Sequence, residues 1–219
     1  MPTPTFINLP TEKRDRLLAL ALAEFAANDY PTASISRIVS QAGIAKGSLY
    51  QYFADKRALY LHLVDLASHT LLATIQADMP PTATSFVALL RWQMSATTRA
   101  ALCYPQESAL LRRAYAADHA DSALTAQAAA LRTAHLMPLL QAAQARGELA
   151  AELELAIVVP LLSAILAEVG PLVLTALGLT PADAAQAPAD VFTSPAVEQV
   201  YDQVIRLVQH GLAPVAPKE

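Results

Sequence analysis

An all-α fold of about nine helices is predicted by three features of the 219-residue sequence. Alanine and leucine recur throughout, and both favour helix, whereas β-branched runs of strand length are few. Glycine, which weakens helix interiors, numbers only 6. Apolar side chains return at helical spacing between proline and glycine breakers. With 54% hydrophobic and 16% charged residues, the composition excludes global disorder and supports one or two buried cores.

Each helix has its own justification. Leu17, Leu18, Ala21, Leu22 and Phe25 form one apolar stripe, with Thr11 as the expected cap and a stop near Asn28, before Tyr30-Pro31. Ser34 is expected to cap a short helix with Ile35, Ile38 and Val39 inward, ended by Gly43. A third short helix is expected over 45–52. Asp55 caps a fourth, long helix through Leu59, Leu63 and Leu66, stopped by Pro80-Pro81. Further helices are expected near 84–102, 107–118 and 121–146, the last kinked at Pro138, then over 153–177 and 195–210. Residues 180–195, rich in Pro, Ala and Asp, read as a loop.

Charge is unevenly placed. Up to Tyr60 there are seven basic and five acidic side chains, and beyond it eight basic and fourteen acidic. A net charge of -4 argues against wholesale polyanion binding, but the basic first region is suited to it. The single cysteine, Cys103, forms no internal disulfide, which fits the reducing cytosol, and the opening residues do not read as a signal peptide. A cytoplasmic location is the expectation.

Residues 34–56 read as short helix, glycine turn, short helix. Gly43 sits where the chain leaves a helix with positive φ, Ile44 anchors the turn, and Leu49 and Phe53 face inward at i and i+4. Lys46, Gly47, Ser48, Tyr50, Gln51 and Tyr52 are thereby directed outward or along the flanks. One cation, small residues, hydroxyls and an amide make a surface suited to a DNA major groove. From about Lys13 to Leu61 the chain resembles the tetracycline-repressor (TetR) family of transcriptional regulators. The most specific stretch is Ala42-Gly-Ile-Ala-Lys-Gly-Ser-Leu-Tyr-Gln-Tyr-Phe-Ala-Asp-Lys-Arg-Ala-Leu59, with the family's glycine turn, Leu-Tyr pair, aromatic doublet and following lysine.

The resemblance implies a three-helix helix-turn-helix DNA-binding domain over 1–56 and a larger helical ligand-binding and dimerisation domain over 57–219. It implies that Ser34 caps the second helix facing phosphate and that Lys46, Gly47 and Ser48 meet base edges. Tyr50, Tyr52 and Lys56 match phosphate-contacting positions, and Gln51 adds a contact; Arg37 is a candidate backbone contact. Two departures stand out: Ala45 replaces a common capping serine, and Ser36 stands where an arginine often reaches a base.

Beyond the fourth helix the likeness is architectural. The apolar run 155–177 has the length of a membrane span, but it contains two prolines, a glycine and Glu168, and lacks a basic flank. It is read instead as a buried helix. Packed with a last helix whose inward set is Val200, Val204, Leu207 and Val208, it supplies a homodimer seam, as two DNA half-sites require. Trp92, Tyr104, Tyr115, His119 and Met137 are the candidate lining of a pocket for a small, mostly apolar effector. His62, Asp65 and His69 share a helix face that solvation explains better than metal binding, and only Arg99 lies near enough in sequence to stabilise a Cys103 thiolate. No metalloprotease motif, nucleophile elbow, phosphate loop or dinucleotide fingerprint is present, so neither catalysis nor a cofactor is expected. The expected function is a ligand-released repressor acting as a homodimer on palindromic operator DNA, with a constitutive DNA binder or a helical enzyme as alternatives.

Overall fold

Eleven α-helices and one 3₁₀ turn make up the secondary structure among the described residues, which include no strand. This computed structural model describes residues 2–77, 79, 85–116, 122–184, 187 and 189–210, with the backbone alone at 115, 116, 122–129, 131, 132, 181, 182 and 189. The helices are α1 (Pro4–Ile7), α2 (Thr11–Ala27), α3 (Ile35–Ala42), α4 (Lys46–Tyr52), α5 (Lys56–Gln76), α6 (Phe86–Cys103), α7 (Pro105–Ala116), α8 (Ser122–Ala145), α9 (Leu155–Leu177), α10 (Pro181–Ala184) and α11 (Pro195–His210). The nine expected helices are all present, and the all-α class is the observed one.

Four details differ from the sequence reading. Pro4–Ile7 is a helical turn, because Thr3 caps it and Pro4 at its start has no N–H to lose. Pro10, not Thr11, occupies the N-cap of α2, and no side chain caps that end. The 180–195 segment contains α10 and a 3₁₀ turn at Ala189–Thr193, both too short for periodicity to reveal. Leu207 is exposed rather than inward; the buried residues of α11 are Val197, Tyr201, Val204 and Ile205. The expected stop at Pro80-Pro81 lies outside the described residues.

The chain divides into two compact units, Met1–Ala73 with Tyr104–Leu131 and Thr74–Cys103 with Arg132–Glu219. The first has an aromatic core. Phe6 and Phe53 lie 4.7 Å apart, and Phe25 meets Tyr60 edge-on at 5.1 Å. Leu17, Ala21, Ile38, Leu49 and Leu59 fill in around them, joined by Leu110, Leu111 and Ala114 of α7. Arg113 fixes α7 in this unit: its Nε donates to the Ala26 carbonyl at 2.9 Å and its Nη2 to that of Ala27 at 3.3 Å, while Nη1 pairs with Asp29. Those carbonyls end α2, where helix groups lack intrahelical partners and attract cations.

The second unit has an aliphatic core from α6, α8, α9 and α11, including Leu90, Met94, Leu140, Val159, Leu166, Val169 and Val173, with Tyr201 buried among them. Arg91 of α6 pairs with Glu198 and Asp202 of α11. Glu148 accepts a hydrogen bond from Arg146 Nε at 2.7 Å and from the Phe86 N–H that opens α6; these donors, Arg146 foremost, pull its carboxyl below the usual range. By length and composition α5 and α9 are each long and apolar enough to cross a membrane. Both nevertheless send a face into a core, Leu59, Tyr60 and Leu63 from α5 and Val159, Leu162 and Val173 from α9.

Candidate nucleic-acid interface

Apolar packing decides which residues of α3 and α4 remain on the surface. Ile35, Ile38 and Val39 are buried, and so are Leu49 and Phe53 at 2% and 1% exposure. Between the two helices Gly43 takes φ 68° and ψ 32°, a left-handed conformation that costs other residues more. The Ile44 N–H then reaches back to the Val39 carbonyl at 3.0 Å, closing the helix end and setting the turn.

On the outward side, Ser36, Arg37, Lys46, Gly47, Tyr50 and Gln51 are exposed, and Ser34, Ser48, Tyr52 and Lys56 are half-buried. Lys46 and Gly47 open α4, where a Cβ placed on Gly47 would meet nothing within 4 Å. Ala45 precedes them as an N-cap without a side-chain bond, so that helix end keeps bare N–H groups. Tyr50 is 46% exposed. Tyr52 lies along the flank, its ring 6.0 Å from that of Phe6. Lys56 Nζ donates to the Pro31 carbonyl at 3.3 Å and stands 4.8 Å over the Tyr30 ring. Desolvation lowers its pKa, and the nearby Glu24 charge opposes that shift. Asp55 caps α5 by accepting from the Ala58 N–H at 2.7 Å.

Two supports of this surface escaped the sequence reading. The first is the opening turn. Thr3 Oγ1 donates to the Gln51 carbonyl at 2.7 Å and the Thr3 N–H to that of Tyr52 at 2.9 Å, so α1 closes the end of α4. Phe6 is buried against Phe53 below it. The second is Glu24, 7% exposed, whose carboxylate meets Ser34 and Arg37. Its signal was an acid within an apolar stripe, beside Ala21 and Phe25.

The other candidates belong to both units. Trp92 and Met137 belong to the second unit, where Met137 packs on the aliphatic core and the buried Trp92 Nε1 has no hydrogen-bond partner among the described residues. Tyr104 belongs to the first unit. The side chain of Tyr115 and all of His119 lie outside the described residues. A small recess in the second unit, about 10 Å³, is lined by Phe86, Leu90, Leu140, Leu162 and Leu166 with one amide, Gln93. That volume is about the size of one water, too small for an organic ligand. Gln93 accepts from His135 Nε2 at 3.0 Å, and burial lowers the His135 pKa. His62 packs against Phe6 and Phe53, whereas His69 Nδ1 donates to the Asp65 carbonyl at 2.8 Å. Cys103 is exposed.

A helix, a left-handed glycine turn and a second helix with a polar outer face define a helix-turn-helix protein. The sequence profile of bacterial regulatory proteins of the tetR family matches residues 17–63. A TetR family transcriptional regulator from Chloroflexus aurantiacus is 33% identical, the alignment covering 96% of this chain and 98% of that one with a TM-score of 0.77. The chain belongs to the TetR family of transcriptional regulators. YdgC, an uncharacterised HTH-type transcriptional regulator of Bacillus subtilis, is 40% identical over 53 residues. That match spans 24% of this chain and about a quarter, 27%, of YdgC. The Bacillus subtilis regulator FadR, solved in complex with stearoyl-CoA, has the same fold at 14% identity, with a TM-score of 0.61 over 91% of this chain and 99% of that one.

Proposed function

We propose that this regulator is a cytoplasmic repressor that binds palindromic operator DNA as a homodimer and is released by a small, mostly apolar ligand. Residues 1–56 make the DNA contacts. Ser34, Arg37, Tyr50, Tyr52 and Lys56 meet phosphates, Lys46, Gly47 and Ser48 meet base edges, and Gln51 adds a contact. The observation that carries the reading is the sorting of α4, with Leu49 buried while Lys46, Tyr50 and Gln51 stay exposed.

Residues 57–219 bind the effector and dimerise through α9 and α11. Ile157 and Leu161 of α9 are 57% and 61% exposed, and Leu172 continues the same side of the helix. Such a stripe is favoured at a protein interface and costly in water. The apolar character of the effector is supported by the few charges of the middle helices. The fold also accommodates stearoyl-CoA in FadR. Ligand shifts the dimer population towards one whose recognition helices no longer match half-sites about 34 Å apart, and the change passes along α5.

The test is selection of bound sequences from a random DNA duplex library, followed by gel shifts across salt. Lys56→Ala should weaken all sequences alike and reduce the salt slope by about one, whereas Lys46→Ala should change base preference. Identical behaviour of the two variants would overturn the division of contacts. Leu161→Arg should yield a monomer by sedimentation and abolish selective binding; a dimeric, DNA-binding Leu161→Arg would overturn the seam.

A further inference from the structure

The N-terminus of α3 is completed by a residue from another helix. Ser34 Oγ accepts from the Arg37 N–H at 3.3 Å, the first half of a capping box. The second half is ordinarily an acid three residues after the cap, reaching back to the cap's own N–H. Here that position holds Arg37, a cation. Glu24 of α2 takes over the task, its Oε1 accepting from the Ser34 N–H at 2.8 Å. Its Oε2 lies 3.3 Å from Arg37 Nε, and Asn28 Nδ2 donates to Oε1 at 3.3 Å.

We propose that Glu24 is a positioning residue for DNA binding, presetting the α3 N-terminus and the Arg37 guanidinium for a DNA phosphate. This rests on the reading that Ser34 and Arg37 meet the DNA backbone. A buried carboxylate needs hydrogen-bond partners, and besides Asn28 those of Glu24 come from the start of the helix that faces DNA. Arg37 is gripped through Nε while 52% of its side chain stays open to solvent. An arginine held in this way loses less freedom when it closes on a phosphate. Glu24 carries the same charge sign as DNA, so charge and position make opposite predictions for its removal.

The experiment measures binding of a fluorescent mixed-sequence duplex at low salt to the wild type, Glu24→Gln, Arg37→Gln and the double variant. If Glu24 acted only as a negative charge near phosphates, Glu24→Gln would bind more tightly. Positioning predicts weaker binding, by about two- to tenfold for one unordered long side chain. It also predicts that Glu24→Gln weakens nothing further once Arg37 is Gln, a result that general loosening of the fold would not produce. Unchanged or tighter binding by Glu24→Gln, or an equal loss in both backgrounds, overturns the role of Glu24.

Should Glu24→Gln lose its helical circular dichroism, Arg37→Lys decides. A single ammonium cannot hold the carboxylate by one edge and offer another outward. A loss similar to that predicted for Glu24→Gln supports the proposal, and wild-type affinity refutes it. Failure of the wild type to bind any duplex would remove the DNA-binding reading itself, whereas a binding wild type with a neutral Glu24→Gln removes only this inference.

Discussion

The two units bury different chemistry and leave different chemistry outside. In the first, Phe6, Phe25, Phe53 and Tyr60 lock together in tilted and edge-on pairs, and the outer face of α3 and α4 carries Ser, Arg, Lys, Tyr and Gln. In the second, the core is leucine and valine, while α9 leaves Ile157, Leu161 and Leu172 on its surface. Aromatic pairs have preferred geometries and so specify one arrangement, whereas aliphatic packing tolerates substitution at similar volume. A unit that presents fixed contacts to a polymer of constant shape benefits from the former. Under the proposed function the second unit adapts to a ligand and a second copy, and the latter would serve it better.

The contrast is sharpest for Phe53 against Leu161. Phe53→Ala should cost about 3–5 kcal/mol in urea unfolding, since its ring fills a closed core. Leu161→Ala should cost less than about 0.5 kcal/mol at dilutions where the chain is monomeric. A Leu161 effect rivalling that of Phe53 under those conditions would mean its side is covered within the single chain.

Alkaline titration comes next in size. Tyr60 has its hydroxyl pushed up from 10.0 to about 12, by burial first and then by Tyr30 and Asp29, with Arg113 opposing. The folded state thus keeps a proton that the unfolded chain gives up near pH 10. That contribution is complete below pH 10 and is lost as pH rises towards 12, amounting to about 2–3 kcal/mol. Tyr60→Phe should flatten this decline in stability measured by denaturation at stepped pH. Tyr201, raised chiefly by burial, is the corresponding group of the second unit, and Tyr201→Phe reports whether both units share the alkaline sensitivity.

The smallest effects concern the two arginine clasps. Arg113→Ala removes donors from two helix-terminal carbonyls and should cost about 1–2 kcal/mol. Arg91, 38% exposed, has its pKa raised foremost by the Asp202 hydrogen bond, but its pairs are screened by solvent. Arg91→Ala should cost less than about 1 kcal/mol and less still in high salt. Equal losses, read from thermal unfolding, would erase the distinction between capping a helix and pairing at a surface.

Long periodic segments were legible because burial imposes a 3.6-residue rhythm on them: the stripe from Leu17 to Phe25 and the Leu49–Phe53 pair both lie as that rhythm requires. What lay beyond it was structure made by distant partners. Nothing near Phe6 in the sequence announces that it packs on Phe53, and Glu24, an acid inside an apolar stripe, has no evident partner until Ser34 and Arg37 are brought to it. Of the pocket candidates, Trp92 falls in the second unit and Tyr104 in the first. Aromatic residue type alone carries no direction.

The bond from Thr3 to Gln51 spans 48 positions of sequence. On a ribosome adding about 5–20 residues per second, Thr3 therefore waits several seconds for its partner. Closing so long a loop carries an entropy penalty that is recovered only when Phe6 and Phe53 meet as well. The α1 turn thus settles in its place only after α4 has been made.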